Sequence, residues 1–181
     1  MKKLAIALAA SGLFALSVPS MAIAAIETEE ARMEAASAAD TARWDMVEVF
    51  GPKILKPGQY LWAKDVGAGA PRVVVSLSEQ MAYVYRGDRL VGVTTISSGK
   101  PGNDTPTGIF PVKFKKEMHH SRKYDSAPMP HMQMLDDYGI ALHAGFIAPT
   151  PASHGCVRLP KAFAARLYGM TQVGTPVLIA A

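Results

Sequence analysis

Cys156 is the only cysteine in the 181-residue sequence, and histidines precede it closely along the chain. A cysteine attacks as the thiolate, yet only about 3 per cent of a thiol with the ordinary pKa of about 8.5 is ionised at pH 7. Nucleophilic catalysis by Cys156 therefore needs a base beside it. His143 precedes Cys156 by 13 residues, and Pro149 and Pro151 favour a loop that folds back between them. We expect His143 to be this base. If the two side chains form a thiolate–imidazolium pair, the pKa of Cys156 would be lowered.

A second histidine, His154, lies two residues before Cys156. If this segment is extended, the period of two places His154, Cys156 and Arg158 on one face and Val157 and Leu159 on the other. A polar face over an apolar face is typical of the wall of a site. Because residues two apart on a strand lie about 7 Å apart, His154 is too distant from Cys156 for direct proton transfer.

The groups flanking Cys156 predict contacts with a reacting molecule. Gly155 has no side chain, so the backbone N–H groups of Gly155 and Cys156 can approach and stabilise a developing oxyanion. The Arg158 guanidinium is charged at every physiological pH and binds carboxylates in a forked geometry. Arg158 would therefore bind either a carboxylate of the substrate or a carboxylate of the protein, in an ion pair that holds the loop.

Metal binding is an alternative use of the same side chains. Two histidines and a cysteine form a known catalytic zinc site, and the sequence supplies five histidines besides Cys156. However, neither H-E-x-x-H nor C-x-x-C spacing is present in the sequence. A free cysteine is also often no more than a small buried apolar side chain. We predict an enzyme that needs no metal and no cofactor.

Three runs of β-branched and aromatic residues predict the strands that support this site: residues 73–77, 81–85 and 90–96. The polar pair Gly87-Asp88 between the last two runs is typical of a tight hairpin turn. The three runs therefore predict an antiparallel meander.

Weaker patterns predict the remaining elements. Residues 109–114 predict a half-buried strand, whereas residues 117–138 contain few apolar runs and predict a long irregular binding loop or lid. Short strands at 139–142 and 176–179 and an amphipathic helix at 161–169 complete the chain. The expected fold class is mainly β: an antiparallel, sandwich-like fold with one or two short helices.

The amino terminus predicts export. Lys2 and Lys3 precede an apolar run at 4–18 and the pattern Ala-Ile-Ala at 22–24, which is typical of a secretory signal peptide cleaved after residue 24. The apolar run is shorter than the roughly 20 residues of a membrane-spanning helix, so we expect no span after cleavage. The mature protein would then occupy the periplasm or the cell envelope.

These patterns divide the chain into three segments: the signal peptide at 1–24, a helical and linker segment at 25–70, and a catalytic domain at 71–181. Residues 25–42 are rich in Ala and Glu and predict a mobile or loosely docked helix with a thin apolar stripe. The Gly and Pro residues that follow are typical of a linker.

The charge balance excludes one class of partner. The full chain carries 19 Lys and Arg against 15 Asp and Glu, a net charge of +4, and two of the lysines lie in the signal peptide. Removing those two leaves +2 on the mature chain, spread without a block of basic residues. We therefore exclude nucleic acid as a partner.

Three motifs, in order along the chain, resemble one protein family. They are TPTGIF at residues 105–110, GIALH at 139–143 and SHGCVR at 153–158. Together they resemble the L,D-transpeptidase catalytic domain of the YkuD type, which builds cross-links in bacterial peptidoglycan. The resemblance covers about residues 72–180 and implies the β-sandwich-like fold of that family.

The resemblance implies a role for each motif residue. Cys156 matches the nucleophile, His143 matches the general base, and the backbone at Gly155 and Cys156 lies where the oxyanion donors are expected. The positions that shape the pocket and contact the donor stem peptide are matched by Ser153, His154 and Arg158.

Two features depart from the family pattern. Ala144, rather than a glycine, follows the first histidine, and the loop from there to Cys156 is short. His131 follows Met129-Pro130, where the family often has an aromatic residue.

The implied reaction is transfer of a peptidoglycan stem peptide. Cys156 would form a thioester with the third residue of a tetrapeptide stem, release the terminal D-alanine and pass the acyl group to an amine. Peptidoglycan stem peptides are the expected partners, and a wall-anchored lipoprotein, a free D-amino acid or water are further acceptors. The alternatives are a carboxypeptidase that hydrolyses the same bond and a non-enzymatic cell-wall-binding module. Another secreted thiol peptidase is disfavoured, because comparable cell-wall enzymes place the cysteine before the histidine.

Overall fold

The structure is a computed structural model that describes residues 25–181, so the predicted signal peptide at 1–24 lies outside the described residues. Two helices occur in residues 25–181: α1 Glu29–Phe50 and α2 Lys161–Met170. Neither has the length and apolarity that crossing a bilayer requires. The strands are β1 Tyr60–Trp62, β2 Pro71–Ser76, β3 Met81–Arg86, β4 Arg89–Thr95, β5 Gly108–Pro111, β6 Phe114–His120, β7 Pro128–Met134, β8 Ala141–Ala144, β9 Val157–Leu159 and β10 Pro176–Ala180.

The strands form two sheets. The larger sheet has the order β1-β4-β3-β2-β10-β5, and the smaller sheet has the order β6-β7-β8-β9. Neighbouring strands are antiparallel except β2 with β10 and β8 with β9, which are parallel. The prediction of a mainly β fold with few helices is confirmed, although the sheets are mixed rather than purely antiparallel.

One apolar core joins the two sheets and α2. It includes Val75 and Val84 of the larger sheet, Leu142 and Val157 of the smaller sheet and Phe163 of α2, each at most 1% exposed. Because β8 and β9 bury one face in this core, their other face is free to carry polar residues. The core thus holds two strands of the smaller sheet in place beneath that face.

The predicted meander is confirmed as β2, β3 and β4, with a turn at 87–88 between the last two. Val73 and Val75 of β2 lie in the core shared with the smaller sheet, while Val74 belongs to a second cluster that contains the buried residues of α1. A strand that is covered on both faces takes a continuous apolar run. This is why these strands are evident in the sequence.

The prediction of a loosely docked amino-terminal helix is wrong. α1 continues to Phe50, and the Tyr85 hydroxyl of β3 donates to Asp45 Oδ2 of α1 at 2.7 Å. The buried face of α1 consists of Ala31, Ala35, Ala39, Ala42 and Met46. Residues three and four apart share one face of a helix, and alanine lets that face lie close to the sheet. The apolar pattern is faint only because alanine is small.

The segment between α1 and β2 also joins the larger sheet. β1 pairs antiparallel with β4, with Leu61 opposite Val93. Trp62 lies edge-on to the ring of Phe163 in α2, with centroids 5.1 Å apart. Residues 25–70 therefore contribute a helix that packs on the larger sheet and a strand that extends it.

The predicted strand at 109–114 is instead two strands in different sheets. β5 ends at Pro111 and pairs with β10, whereas β6 begins at Phe114 and pairs with β7. Proline lacks the N–H that would continue a ladder. Phe110 is fully buried while Phe114 is 41% exposed, so the two rings do not share one face.

The predicted irregular loop at 117–138 is also wrong. β6 and β7 form an antiparallel hairpin, called here the β6–β7 hairpin, and only residues 121–127 form its loop. The Lys, Glu and His side chains of β6 have low or moderate strand preference. Pairing with β7, rather than local propensity, makes this segment a strand.

Candidate active site

His143 and Cys156 lie on neighbouring parallel strands of the smaller sheet. His143 is in β8, opposite Arg158 of β9, and Cys156 immediately precedes β9. Val157 is fully buried, so strand alternation turns Cys156 and Arg158 to the opposite face. Residues that pair across adjacent strands share a face, which adds His143 to the same side. All three line one cleft of about 1110 Å³.

The environment of His143 favours a neutral imidazole. The residue is 8% exposed, and Nδ1 of its ring lies 2.8 Å from the carbonyl oxygen of Ala144. A carbonyl only accepts hydrogen bonds, so Nδ1 carries the proton and Nε2 keeps its lone pair. Burial lowers the pKa of His143, the Ala144 carbonyl raises it, and the Arg158 charge lowers it further. The net direction is downward, which favours the neutral ring at neutral pH.

Cys156 is held as a thiol. Its Sγ donates to the carbonyl oxygen of Gly139 at 3.4 Å, a bond that only the protonated form makes. Burial raises the pKa of Cys156, the Ala141 backbone N–H lowers it, the Asp136 carboxylate raises it and Arg158 lowers it. The net direction is upward. Both directions disfavour a thiolate–imidazolium pair in the resting site, because burial penalises both charges.

Ser153 braces the turn that carries the nucleophile. Its side chain is buried, and Oγ donates to the carbonyl of Cys156 at 2.5 Å and accepts from the N–H of Gly155 at 3.1 Å. The N–H of Gly155, one of the two expected oxyanion donors, is thus already in use. The other expected donor is the N–H of Cys156.

Thr105 also contacts this turn, a contact that sequence patterns did not indicate. Its Oγ1 donates to the carbonyl of Gly155 at 2.8 Å and accepts from the N–H of Gly99 at 3.0 Å. The TPTG motif that begins at Thr105 is therefore more than a turn into a strand. It anchors the residue before the nucleophile.

His154 points away from the buried turn and is exposed. Its ring stacks on that of Tyr124 in the loop of the β6–β7 hairpin, with centroids 4.2 Å apart and planes 20° apart. Both residues line the cleft. His154 therefore links the nucleophile turn to the hairpin, and sequence analysis could not have paired it with Tyr124, which lies 30 residues earlier.

Arg158 lies in the cleft without an ionic partner. In residues 25–181 no carboxylate lies within 4.0 Å of its guanidinium, so the loop-holding ion pair considered above does not form. Its stem covers Gly145, where an added Cβ would lie 3.1 Å from Cγ and Cδ of Arg158. This contact gives a reason for glycine at 145, one position after the place usual in the family.

The β6–β7 hairpin supplies a row of cations to the same cleft. None of these side chains has a carboxylate within 4.0 Å in the part of the chain that the structure describes. The hairpin cations are Lys116, Arg122 and Lys123, and His119 lines the cleft with them. Burial lowers the pKa of His119, and the neighbouring positive charges, led by Lys116, lower it further.

Asp136 shapes the turn that leads into β8. Its Oδ1 accepts the N–H groups of Tyr138, Gly139 and Ile140 at 2.8 to 3.0 Å. This aspartate-centred turn presents the Gly139 carbonyl to the thiol. An aspartate three residues before a glycine is a turn signal that sequence analysis could have used.

The remaining histidines are dispersed. His119 and His120 lie in β6, and the His131 ring in β7 lies 5.6 Å from the ring of Tyr168 in α2. His131 does not line the cleft. Within residues 25–181, no three His, Cys, Asp or Glu side chains are grouped so that they could hold a metal ion.

Comparison with known proteins identifies a family. The profile of the YkuD family, described as the L,D-transpeptidase catalytic domain, matches residues 70–179. A comparison with curated proteins finds no match.

Several solved structures are similar to this chain. The L,D-transpeptidase from Stackebrandtia nassauensis is 27% identical, with a TM-score of 0.57 over 75% of this chain and 64% of that one. The L,D-transpeptidase from Xylanimonas cellulosilytica is 28% identical, with a TM-score of 0.56 over 64% of this chain and 62% of that one.

A third structure, the LD transpeptidase LdtMt1 in complex with imipenem, is 24% identical, with a TM-score of 0.56 over 61% of this chain and 58% of that one. This chain thus spans 58% to 64% of the length of the three solved structures. Because the family match covers more than half of its residues, the chain belongs to the L,D-transpeptidase catalytic domain (YkuD) family.

Proposed function

We propose that this protein is an exported peptidoglycan L,D-transpeptidase in which Cys156 is the nucleophile and His143 the general base. The observation that carries the proposal is the neutral imidazole of His143, with Nε2 unprotonated, on the same cleft face as the Cys156 thiol. Family membership supports the same activity.

Acylation begins at the third residue of a tetrapeptide stem. Nε2 of His143 takes the thiol proton while Sγ of Cys156 attacks the carbonyl carbon, and negative charge collects on the carbonyl oxygen. The N–H of Cys156 stabilises that oxygen. His143 then returns the proton to the leaving nitrogen, D-alanine departs, and a thioester remains.

Transfer reverses these roles. An acceptor amine attacks the thioester carbonyl as His143 removes its proton, the carbon–sulfur bond breaks, and the proton passes to the sulfur. A new amide joins the two stems and the thiol is restored. Because burial disfavours both separate charges, proton transfer and bond formation are coupled in each half of the cycle.

The charge of the cleft supports an anionic peptide as substrate. Stem peptides carry free carboxylates, and the described lining of the cleft has more Lys and Arg than Asp side chains: Lys116, Arg122, Lys123, Arg158 and Lys161 against Asp104, Asp136 and Asp137. An excess of positive charge in a cleft concentrates anionic ligands. Arg158, next to the nucleophile, contacts a carboxylate of the donor stem, and Ser153 and His154 shape the pocket around it.

The size of the cleft suits a peptide substrate. Its volume of about 1110 Å³ exceeds the range of roughly 300 to 1,000 Å³ that is usual for a single drug-sized ligand. The cleft therefore has room for a donor stem and part of an acceptor. The acceptor amine belongs to a second stem or to a wall-anchored lipoprotein.

Muropeptide mass spectrometry tests the activity. Peptidoglycan rich in tetrapeptide stems is incubated with the mature protein, digested with a muramidase and analysed, with Cys156→Ala as the control. We expect dimers joined through the third residue and one free D-alanine for each. Tripeptides without dimers would identify a carboxypeptidase, and identical profiles for both proteins would leave only a wall-binding module.

Export is tested separately by intact mass. The pattern at 1–24 supports cleavage after Ala24 and a location in the periplasm or cell envelope. We expect protein recovered from the envelope fraction to begin at Ala25. Recovery of the full-length chain with the membranes would contradict export as a free protein.

A further inference from the structure

The Thr105 side chain is buried beneath the nucleophile turn and is 6% exposed. Its hydroxyl is fully used by protein groups: it donates to the carbonyl of Gly155 at 2.8 Å and accepts from the N–H of Gly99 at 3.0 Å. Thr105 touches neither Sγ of Cys156 nor the ring of His143 by any hydrogen bond in residues 25–181. Its influence on chemistry must therefore pass through the backbone.

The peptide unit that joins Gly155 to Cys156 transmits that influence. A trans peptide is planar, and its C=O and N–H point in opposite directions. When Thr105 Oγ1 holds the Gly155 carbonyl, the N–H of Cys156 points the other way. Gly155 adopts φ +112°, a conformation that favours glycine, and an added Cβ there would lie 2.7 Å from Cδ1 of Ile140.

The neighbouring backbone groups leave one donor free at the nucleophile. The Gly155 N–H and the Cys156 carbonyl both bond to Ser153 Oγ, and the Gly155 carbonyl bonds to Thr105. In the described part of the chain, the N–H of Cys156 has no acceptor. It is the donor available to an oxygen that develops negative charge beside Sγ.

We propose that Thr105 is a positioning residue that aims the N–H of Cys156 at the oxyanion of the acylation step. The inference rests on the proposed function. Loss of the Thr105 hydroxyl frees the Gly155–Cys156 peptide to rotate and leaves two buried backbone groups without partners. Acylation then slows, while ionisation and simple alkylation of the thiol, which develop no oxyanion, do not change.

The test compares two reactions of one thiol in three proteins. Wild type, Thr105→Val and Thr105→Ser are treated with imipenem, which acylates through a carbonyl, and with iodoacetamide, which alkylates without one. Both adducts are followed by intact mass. Loss of an oxyanion donor costs on the order of 100-fold or more in rate. We expect Thr105→Val to lose about that factor in acylation, Thr105→Ser to recover most of it, and the pH profile of alkylation to coincide in all three.

Two outcomes overturn the proposal. Equal acylation by Thr105→Val and wild type would show that the hydroxyl does not aim the donor. A parallel fall in acylation and alkylation would show a structural role alone. Failure of wild type to acylate would instead count against the proposed function.

A measurement on the wild-type protein covers the case in which Thr105→Val does not fold. The amide proton of Cys156 is followed by nuclear magnetic resonance before and after imipenem acylation, in wild type and Thr105→Ser. We expect a downfield shift in both, as the amide bonds to the thioester oxygen. An unchanged amide signal in the acylated wild type would overturn the proposal.

Discussion

The larger sheet is covered on both faces, whereas the smaller sheet leaves one face to the cleft. Val73 and Val74 of β2 are both at most 1% exposed, because the shared core lies on one side and α1 on the other. In β9, by contrast, Val157 is buried while Arg158 faces the cleft. We therefore expect the larger sheet to contribute mainly to stability and the cleft face of the smaller sheet mainly to activity.

The comparison extends to how polar groups are satisfied. Under α1, the Tyr85 hydroxyl is matched to Asp45 and helps to hold the helix. In the cleft, Arg158 and the hairpin cations lack ionic partners in residues 25–181. Cations that lack an ionic partner lower the stability of the folded protein, and they are typical of functional sites. Substitutions on the two sides should therefore separate catalysis from stability.

The largest expected effect is on the catalytic pair. Cys156→Ala abolishes imipenem acylation, and His143→Ala reduces it on the order of 1,000-fold or more, because base and nucleophile act as one unit. Stopped-flow or mass-based acylation rates check this. His154→Ala is the matched histidine control, and we expect a smaller loss through disturbed stacking on Tyr124. A greater loss in His154→Ala than in His143→Ala would reverse the assignment of the base.

A smaller effect is expected on substrate affinity. Arg158→Gln removes a charged hydrogen bond worth about 1.5 to 3 kcal/mol, so KM for a tetrapeptide stem should rise about tenfold or more. Arg166→Gln is the control, because Arg166 is exposed and lies outside the cleft. Steady-state kinetics with the free carboxylate and with its carboxamide check the cause. A loss of equal size for both substrates would argue against carboxylate binding.

A substitution under α1 should change stability and leave activity unchanged. Ala35→Leu forces a larger side chain between α1 and the larger sheet, where Ala35 is fully buried, and should lower the free energy of unfolding by about 1 to 3 kcal/mol. Ala36→Leu, on the exposed side of the same helix, should be nearly neutral. Denaturant unfolding measures both, and acylation by the folded fraction should not change. Equal stability of the two variants would contradict tight docking of α1.

The smallest effect is on titration. The pKa of Cys156 is raised, so its alkylation by iodoacetamide should increase only as pH rises above the ordinary thiol value of about 8.5. The pKa of His143 is lowered, so acylation should be lost by protonation only as pH falls below about 6.5. His143→Ala should leave the alkylation profile nearly unchanged. Rapid alkylation near pH 6 that disappears in His143→Ala would instead indicate a resting ion pair.

Particular residues explain why some elements could be predicted and others could not. The valines of β2 and the apolar run of β4 are buried on both faces, so their local pattern and their final environment agree. The alanines of α1 and the charged side chains of β6 carry weak local signals. Their positions depend on docking and on strand pairing with distant residues, which local propensity does not contain.

The candidate site divides in the same way. The residue types and spacing at His143 and Cys156 predict a nucleophile and a base, because a thiol with a nearby imidazole offers that chemistry. The structure places both side chains on one cleft. The stack of His154 on Tyr124 and the contact of Thr105 with Gly155 join residues far apart in the chain. Neither contact produces a periodic pattern in the sequence from which it could be predicted.

The sequence by itself was sufficient for the family, through its three motifs, and for the mainly β fold class, through its runs of β-branched and aromatic residues. It also predicted Cys156 and His143 as the reacting side chains. Only the tertiary structure decided the direction of the two pKa shifts, which favour a neutral thiol and a neutral imidazole, because burial depends on the folded environment rather than on residue type. It also decided which backbone donor is free at Cys156. Ser153 and Thr105 occupy the neighbouring groups, and a hydrogen bond forms only where folding brings its two partners together.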